Sequence, residues 1–452
     1  MSGALFPNLL VQKYGGSSVA TPDKVRGVAE RIASRLPQHP HIVVAVSAMG
    51  KTTDQLIEMA RGVNASPNGR EFDMLLAAGE QIAVSMVGLA LQARGVPAVS
   101  LTATQCGIHT DGSFNRARIR GVETRRLLSE LGAGKVVIVA GFQGVTDNHD
   151  VTTLGRGGGD ITGAALAAAL QADVYENCTD VDGVYTADPR LVPTARQIPE
   201  LSYEECIELA ASGAKVLHPR AAEICMQFHI PIHVRSTFGD RTGTWVRQGA
   251  ETMEGASVVG VTTDRKVAKV TLLDVRDQPG MAAKVFRDLA EADINVRLII
   301  QAAPSHDRNR ITFVTDLEYL EALAALIPQW KKDKVAGKVE IDTDVAKIAI
   351  VGSRIASTPG LAARMFTALA DSDINIDCIS TSEMKVACII AESSLDQAVK
   401  AVHAMFFDEI SKSNDTAKIA ATKTATTAKA TAKKAGKAKP KAKTPVRKRG
   451  AR

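Results

Sequence analysis

The chain has 452 residues, 45% of them hydrophobic and only 4% aromatic. This length predicts more than one domain, and the composition is typical of α/β packing built on Ala, Val and Leu. No apolar run is expected to approach the length of a membrane span, and the first residues lack the basic start and long apolar core of a signal peptide. The six cysteines form no C-x-x-C pair, which predicts reduced thiols, no metal site and a cytoplasmic protein.

The net charge of +6 conceals two oppositely charged parts. Residues 411–452 hold fourteen Lys and Arg and one acid, so this segment carries +13 and the rest of the chain −7. Residues 408–452 are rich in Lys and Ala and have almost no large apolar side chains, which predicts a disordered basic tail. Such a tail can contact nucleic acid or another polyanion without sequence preference; a purely solvated extension is the alternative.

The first predicted strand ends in a lysine followed by a glycine pair. The segment Lys13-Tyr14-Gly15-Gly16-Ser17-Ser18 precedes a helix predicted from about Thr21. Glycines let backbone N–H groups approach an anion closely, and the lysine adds positive charge. Short β-branched runs then alternate with helical patterns as far as about Arg247, which favours an α/β domain with a largely parallel sheet.

A second glycine loop, residues 154–160, carries a cation and a carboxylate. It reads Leu154-Gly155-Arg156-Gly157-Gly158-Gly159-Asp160, follows the predicted strand 135–139 and precedes an Ala/Leu-rich helix. This order predicts an anion site at the edge of a sheet. Asp160 replaces the third glycine of G-x-G-x-x-G, and Ala45 replaces the first glycine of a Walker A loop ending in Gly50-Lys51-Thr52, so neither nucleotide fingerprint applies.

The sequence pattern changes near residue 250, and an internal repeat follows. Residues 279–295 recur as 359–375, with ten of seventeen positions identical. Both copies have Pro-Gly before a helical apolar pattern and strand-like runs on either side. The repeat predicts two βαββαβ modules, each with a glycine that allows a small ligand to approach the backbone.

The motifs between residues 9 and 407 together resemble those of the aspartate kinases, members of the amino acid kinase family. The resemblance implies an α/β protein with a three-layer, carbamate-kinase-like kinase domain over residues 1–250. It also implies two ferredoxin-like α+β ACT domains, over 256–340 and 341–407, ahead of the tail at 408–452. The motifs that carry it are Lys13-Tyr14-Gly15-Gly16, Val46-Ser47-Ala48-Met49-Gly50, Gly79-Glu80-Gln81, Thr110-Asp111, the Arg156 loop, Thr179-Asp180 through Asp188-Pro189-Arg190, and Lys215-Val216-Leu217-His218-Pro219-Arg220.

The implied reaction is ATP-dependent phosphorylation of the L-aspartate side chain to 4-phospho-L-aspartate, the entry to lysine, threonine and methionine. Lys13 and Lys215 would neutralise the transferring phosphates, and Asp160 would orient the ammonium or the lysines. An aspartate side chain, with a pKa of about 3.9, is already ionised at neutral pH, so the reaction needs alignment and charge stabilisation and no general base.

The resemblance also assigns the binding residues. Arg156 would bind the α-carboxylate of aspartate and Glu80 its ammonium, while Ser47 and Thr53 would position the substrate. Mg²⁺ would be carried mainly on the phosphates, with no protein metal site. The residues expected to hold ATP are Lys13, Gly15, Gly16, Ser17, Thr179, Asp180, Tyr185, Arg190 and Lys215.

The ACT domains imply feedback regulation by an amino acid and a homodimer or higher homo-oligomer. The expected effector residues are Asp277, Gly280, Gln301, Asn375 and Ile376. Arg297 stands where many lysine-sensitive relatives carry an acid, and its charge would repel the ammonium of lysine, which predicts that lysine alone is not a simple inhibitor.

One position departs from the family pattern near the expected substrate. Gly159 stands where the family usually has serine before the loop aspartate, so one hydroxyl is missing. The loss of one neutral hydrogen bond is worth about 0.5–1.5 kcal/mol, which predicts weaker substrate binding and a lower Michaelis constant for Gly159→Ser.

Two other functions remain open at the level of the sequence. One is a related carboxylate kinase acting on glutamate or acetylglutamate, against which Glu80, Arg156 and the ACT pair speak. The other is a non-catalytic amino-acid sensor, which Lys13 and Lys215 argue against and Gly159 favours.

Overall fold

The computed structural model describes residues 6–214, 216–249, 258–301 and 308–408. Lys215 and the predicted tail beyond Asp408 therefore lie outside the described residues. So does Met253, which the sequence leaves open as an internal start for a separate regulatory subunit. Residues up to His403 form one compact unit, and Ala404–Asp408 belong to a second unit, in which they form a short π-helical segment.

The first half of the chain is built on an eight-stranded sheet. All neighbouring strands in it run parallel except one antiparallel pair near an edge, β11 with β12. The sheet order is β10-β12-β11-β9-β1-β2-β6-β3. Its strands are β1 (Leu9–Tyr14), β2 (His41–Val46), β3 (Ala98–Leu101), β6 (Val136–Ala140), β9 (Val174–Thr179), β10 (Glu200–Leu201), β11 (Ile232–Ser236) and β12 (Thr244–Val246).

Helices cover both faces of this sheet, as expected for a three-layer domain. They are α1 (Pro22–Arg35), α2 (Thr52–Val63), α3 (Arg70–Gln92), α4 (Ala103–Cys106), α5 (Arg125–Gly132), α6 (Gly158–Leu170), α7 (Tyr203–Ser212) and α8 (Pro219–Gln227). The buried strand residues divide by alternation: Leu9 and Val11 pack in one core, Leu10 and Tyr14 in the other. The helix predicted from about Thr21 is confirmed as α1. The Thr21 side chain caps this helix by accepting a hydrogen bond from the Lys24 N–H, and Pro22 occupies its first turn.

Helix α3 is long and apolar enough to pass a length-and-hydropathy test for a membrane span, which differs from the sequence expectation. Half of the apolar window is buried inside the protein, and the helix carries the buried carboxylates Asp73 and Glu80. These features are typical of a core helix, whose apolar residues pack against a sheet.

A small second sheet separates β6 from the glycine loop. It has the order β5-β4-β7-β8 and consists of β4 (Ile108–Thr110), β5 (Ile119–Val122), β7 (Gln143–Val145) and β8 (Val151–Thr153). The strand directly before the Arg156 loop is thus β8, and not the strand predicted at 135–139. Asp73 fixes β8 and the Asn115 turn together, because its carboxylate accepts from the N–H groups of Thr153 and Asn115 and from both of their side chains.

Both predicted modules are present, but only the first has the complete βαββαβ order, because the second runs βαββα along the chain. The first contains β14 (Val267–Arg276), α9 (Met281–Glu291), β15 (Val296–Gln301), β16 (Arg308–Asp316), α10 (Leu320–Lys332) and β17 (Lys338–Asp342), with sheet order β15-β16-β14-β17. The second contains β18 (Val345–Val351), α11 (Leu361–Ala370), β19 (Cys378–Thr381), β20 (Lys385–Ala391) and α12 (Leu395–His403). Both sheets are antiparallel with the ferredoxin-like strand order.

The fourth strand of the second module comes from an earlier part of the chain. Strand β13 (Gly260–Asp264) lies before the first module but pairs antiparallel with β18, giving the order β13-β18-β20-β19. Residues 260–264 fall in the range that the sequence assigns to the first ACT domain, so the two modules are interleaved along the chain.

Candidate active site

Lys13 and Asp160 form an ion pair at the edge of the large sheet. Lys13 lies near the end of β1, Asp160 lies in the first turn of α6, and Nζ is 2.6 Å from Oδ1. Each side chain is 13% exposed, so the pair is partly shielded but open to a ligand. The other carboxylate oxygen of Asp160 accepts from the His218 N–H at 3.0 Å, and Asp160 therefore links β1 to the start of α8.

The loop after β1 is locked against the loop after β2. A side chain at Gly16 would place Cβ 2.6 Å from the Ala48 carbonyl oxygen, and the Gly50 N–H donates to the Gly16 carbonyl at 3.0 Å. Gly15 lies beside Lys13: a Cβ at Gly15 would be 3.3 Å from the Lys13 Nζ atom. The close backbone approach thus explains why this loop needs glycine.

The Arg156 loop turns into α6 through Gly157, which has a left-handed φ of 72°. A Cβ at this position would lie 2.2 Å from Cδ2 of His218, so the imidazole packs directly on the Gly157 backbone. Two residues later, a Cβ at Gly159 would lie 2.4 Å from the Ser47 hydroxyl. The Ser47 hydroxyl therefore points into the space that a serine side chain at position 159 would occupy.

Glu80 is a buried carboxylate with one oxygen engaged. Oε1 accepts from the Ala48 N–H at 2.9 Å, the residue is 2% exposed, and Oε2 has no partner among the described residues. Burial raises the pKa of Glu80 to about 7, although the bond from Ala48 opposes this effect. A cationic ligand beside Oε2 would satisfy the oxygen and favour its ionised form.

The predicted acceptor residues share one cavity of about 1500 Å³. Its described lining includes Lys13, Ser47, Thr53, Glu80, Arg156 and Asp160. Sequence positions far apart thus converge on one space that is lined by both cations and carboxylates. This arrangement suits a zwitterionic ligand that has both a carboxylate and an ammonium group.

Of the predicted nucleotide residues that the structure describes, Lys13 alone is part of that lining. Thr179 ends β9 beside β1, and its carbonyl accepts from the Thr237 N–H at 2.7 Å. Tyr185 Oη is 3.4 Å from Arg241, and Arg190 forms a fork of bonds with Asp188. Gly15 follows β1, Gly16 and Ser17 begin a short 3-10 helix (Gly16–Val19), and Asp180 follows β9.

Three arginines in the cavity were given no role by the sequence: Arg116, Arg118 and Arg220. Arg220 donates to the carbonyls of Leu154 and Ala117 at 3.3 and 3.4 Å, and burial, followed by the charge of Arg118, lowers its pKa. Arg220 ends the motif Lys215–Arg220, so the sequence alone could have identified it as a candidate site residue. Arg116 and Arg118 lie on a turn without a recognisable motif.

The first ACT module supplies the remaining wall of the cavity. Arg156 is paired with Glu318 at 3.1 Å between Nε and Oε2, and Arg116 is paired with Asp293. Arg116 also lies over the Tyr319 ring, 5.5 Å from its centroid. Two cations of the kinase domain are thus held by acids of the regulatory module.

Three of the predicted effector residues lie on the first module and two on the second. Asp277 accepts from Asn309 at 2.7 Å, and Gly280 begins α9 with a φ of 95°. Gln301 ends the edge strand β15, while Asn375 and Ile376 precede the edge strand β19.

Arg297 is paired with carboxylates of the protein itself. Its guanidinium donates to Asp316 at 2.7 and 3.0 Å and lies 3.8 Å from Asp264. Its charge is therefore compensated by two carboxylates, which weakens the reason for expecting it to repel a lysine effector.

The six cysteines are free and buried. Within the described ranges, no group of three His, Cys, Asp or Glu side chains is arranged to hold a metal ion.

The fold and the cavity define the class: an amino acid kinase domain followed by paired ACT domains. Residues 8–236 match the Amino acid kinase family, and residues 269–333 and 348–406 match ACT domains. The aspartokinase of Mycolicibacterium smegmatis is 46% identical over 407 residues, which cover 88% of this chain and 96% of that relative. The chain therefore belongs to the aspartokinase family, and it is a kinase.

Solved structures agree with this assignment. Escherichia coli aspartokinase III in complex with aspartate and ADP, in the R-state, superposes with a TM-score of 0.74 at 25% identity, over 88% of this chain and all of that one. The same enzyme in complex with lysine and aspartate, in the T-state, gives a TM-score of 0.66 at 25% identity, with the same coverage.

Proposed function

We propose that this protein transfers the γ-phosphoryl group of ATP to the side-chain carboxylate of L-aspartate, forming 4-phospho-L-aspartate and ADP. A carboxylate oxygen forms the new bond to phosphorus as the bond to the bridging oxygen of ADP breaks. The convergence of Lys13, Glu80, Arg156 and Asp160 on one cavity is the observation that carries this proposal. Membership of the aspartokinase family supports it independently.

The acceptor roles follow from charge and position. Arg156 would bind the α-carboxylate, and Glu80 would bind the ammonium through the oxygen that has no protein partner. Ser47 and Thr53 border the same cavity and would position the side chain for attack. Lys13, held by Asp160 at 2.6 Å, would stabilise the negative charge that spreads over the transferring phosphoryl group.

The nucleotide would lie over the carboxyl ends of β1 and β9. Gly15, Gly16 and Ser17 would offer backbone donors to the phosphates, with Thr179, Asp180, Tyr185, Arg190 and Lys215 around the rest of ATP. Mg²⁺ would be carried by the phosphates, because this ion binds to substrate phosphates and water more often than in an all-protein cage. When bound, Mg²⁺ would neutralise charge on the β- and γ-phosphates.

Regulation would act through the ACT modules, with Asp277, Gly280, Gln301, Asn375 and Ile376 around an amino-acid effector. The E. coli relative has been solved with lysine, and for this chain lysine and threonine are the first effectors to titrate, separately and together. We also propose a homodimer or higher homo-oligomer and a cytoplasmic location; the buried free thiols support the latter. The basic tail would add weak contact with nucleic acid or another polyanion.

A trapping assay tests the reaction. The purified protein is incubated with MgATP and aspartate, glutamate, acetylglutamate or no acceptor; hydroxylamine then traps any acyl phosphate, and ADP release is measured. Hydroxamate with aspartate alone is expected. Hydroxamate with glutamate or acetylglutamate instead would assign a different carboxylate kinase, and none with any acceptor would favour the sensor.

A further inference from the structure

His218 borders the acceptor cavity, and two hydrogen bonds to different elements attach the segment that carries it. Its backbone N–H donates to Asp160 at 3.0 Å, and two residues earlier the Val216 carbonyl accepts from Asn177 at 2.9 Å. Asn177 is fully buried on β9, where it pairs in register with Lys13 of β1. The segment that carries His218 is therefore attached to the same strands and helix that position the Lys13–Asp160 pair.

The hydrogen bonding of the imidazole determines its tautomer. His218 caps α8, and its Nδ1 accepts from the Arg220 N–H at 3.3 Å. A nitrogen that accepts has no proton, so the neutral ring carries its proton on Nε2. Burial lowers the pKa of His218; Asp160 and Glu223 oppose this shift and Arg220 adds to it. The ring is thus neutral near pH 7 and presents one N–H donor.

The residue that carries this donor borders the cavity. The ring lies on the backbone of Gly157, next to Arg156, and His218 is part of the cavity lining. Nε2 makes no hydrogen bond with any residue that the structure describes, whereas Nδ1 is engaged. A ligand oxygen on the Arg156 side of the cavity is the partner that such a donor lacks.

We propose that the Nε2–H of His218 donates a hydrogen bond to the α-carboxylate of the amino-acid substrate, beside the guanidinium of Arg156. This inference rests on the proposed aspartate kinase activity. The α-carboxylate is chosen over the reacting carboxylate because the ring packs on Gly157, whereas the phosphoryl side of the cavity is marked by Lys13. A neutral donor there binds an anion without transferring a proton to it, so the substrate keeps its charge for recognition by Arg156.

The test separates substrate contact from helix capping. His218→Ser retains a capping oxygen for α8 but has no donor that reaches the cavity. His218→Asn retains both a capping oxygen and a shorter N–H donor. Gln227→Ala, at the exposed far end of the same helix, is the control for general effects on α8.

Three quantities are measured for each variant: the Kd for aspartate by calorimetry, the KM for ATP, and the ratio of kcat/KM for aspartate to that for its α-amide, L-isoasparagine. A hydrogen bond to a charged group predicts that His218→Ser weakens aspartate binding about tenfold or more. The KM for ATP should not change, and the preference for aspartate over the amide should fall. His218→Asn should be intermediate, and Gln227→Ala should match the wild type.

An unchanged Kd for aspartate in His218→Ser would overturn the inference. Equal losses for aspartate, the amide and ATP would overturn it too, since they indicate a purely structural role. If serine prevents folding, wild-type aspartate affinity and selectivity in His218→Asn count against the inference, and a partial loss confined to aspartate supports it. Calorimetry does not require turnover, so a wild-type protein that binds aspartate but forms no hydroxamate would refute the kinase activity and still test His218.

Discussion

Arg156 of the kinase domain lies 3.1 Å from Glu318 of the first ACT module, so the residue expected to bind the substrate carboxylate is already paired with a protein carboxylate. The two groups compete for the same cation. If Arg156 binds the substrate, an ACT module that keeps Glu318 near Arg156 would lower the affinity for aspartate, and one that withdraws Glu318 would restore it. The contact would then be a direct electrostatic route from the ACT module to the substrate site.

Glu318→Gln should lower the KM for aspartate up to about fivefold, because an exposed ion pair is worth about 0.2–1 kcal/mol. Thermal stability should hardly change, since the side chains of Arg156 and Glu318 are 80% and 43% exposed. Steady-state kinetics with varied aspartate checks this, with Glu321→Gln, an exposed acid in the next turn, as the matched control. A KM that rises, or falls equally in both variants, would contradict the competition.

Glu80 predicts how aspartate binding depends on pH. The free protein holds its pKa at about 7 through burial, and the ionised form is the one expected to bind the substrate ammonium. The kcat/KM for aspartate should therefore rise with pH through about 7, and Glu80→Gln should flatten that rise while lowering the value overall. A pH–rate profile of both proteins is the measurement, and an identical acidic limb in the variant would assign the titration to another group.

The Glu80 carboxyl group also affects the stability of the fold, and its effect changes with pH in the opposite direction to that of an acid whose pKa is lowered by folding. Its pKa is raised from 4.5 unfolded to about 7 folded, so its contribution is greatest below pH 4.5 and is lost as pH rises through 7. Glu80→Gln should accordingly gain stability relative to the wild type between pH 5 and 8, by an amount on the order of 3 kcal/mol at most. Urea unfolding at the two pH values gives the comparison.

Glu176 predicts sensitivity to acid. Burial alone would raise its pKa, but bonds from His233 and Gln12 and the charges of Arg35 and Arg235 lower it to about 2. The stabilisation is present above the unfolded pKa of 4.5 and is lost as pH falls through 2. Glu176→Gln should cost about 3–5 kcal/mol at pH 7, because it leaves buried guanidinium groups without their anion. Denaturant unfolding of the wild type and Glu176→Gln at pH 7 measures this loss of unfolding free energy. A much smaller loss would contradict the prediction and indicate that solvent compensates the charges of the arginines.

Gly159 can be tested with two substitutions that differ by one hydroxyl. Both Gly159→Ala and Gly159→Ser place a Cβ 2.4 Å from the Ser47 hydroxyl, so Ser47 must rotate. Alanine should raise the KM for aspartate about 2- to 12-fold, the equivalent of one lost neutral hydrogen bond. Serine should recover part of that loss through its own hydroxyl. The sequence alone predicted that Gly159→Ser lowers the KM for aspartate, but the contact with Ser47 now predicts a KM above that of the wild type. A KM below wild type for Gly159→Ser would support the original expectation.

The tail can be tested by deletion of residues 409–452. The shortened chain should elute from heparin at lower salt than the full chain, and a shuffled tail of the same composition should restore retention, because phosphate or sulfate binding depends on charge. Equal elution of the full and shortened chains would remove the proposed polyanion contact.

The sequence predicted those parts of the site that depend on local backbone requirements. The glycines around Lys13 and Arg156 are adjacent in the chain to the charges they present, so each motif reports its own geometry. Arg156 and Glu318, by contrast, are 162 residues apart, and Arg116 and Asp293 are 177 apart. Such pairs depend on how one domain packs on another, which no local pattern contains. Glu80 was expected to bind an ammonium, but its raised pKa follows from burial that only the packed helix provides.

Strand β13 precedes the first ACT module yet completes the sheet of the second. A cut in the connection after β17, where the chain passes from one module to the next, would therefore not release two whole modules: the second half would lose an edge strand and expose β18. A fragment that began near Met253 would keep every described strand of both sheets. Ribosomes likewise synthesise β13 long before its partner exists, so that edge of the second sheet can form only after the whole first module has been made.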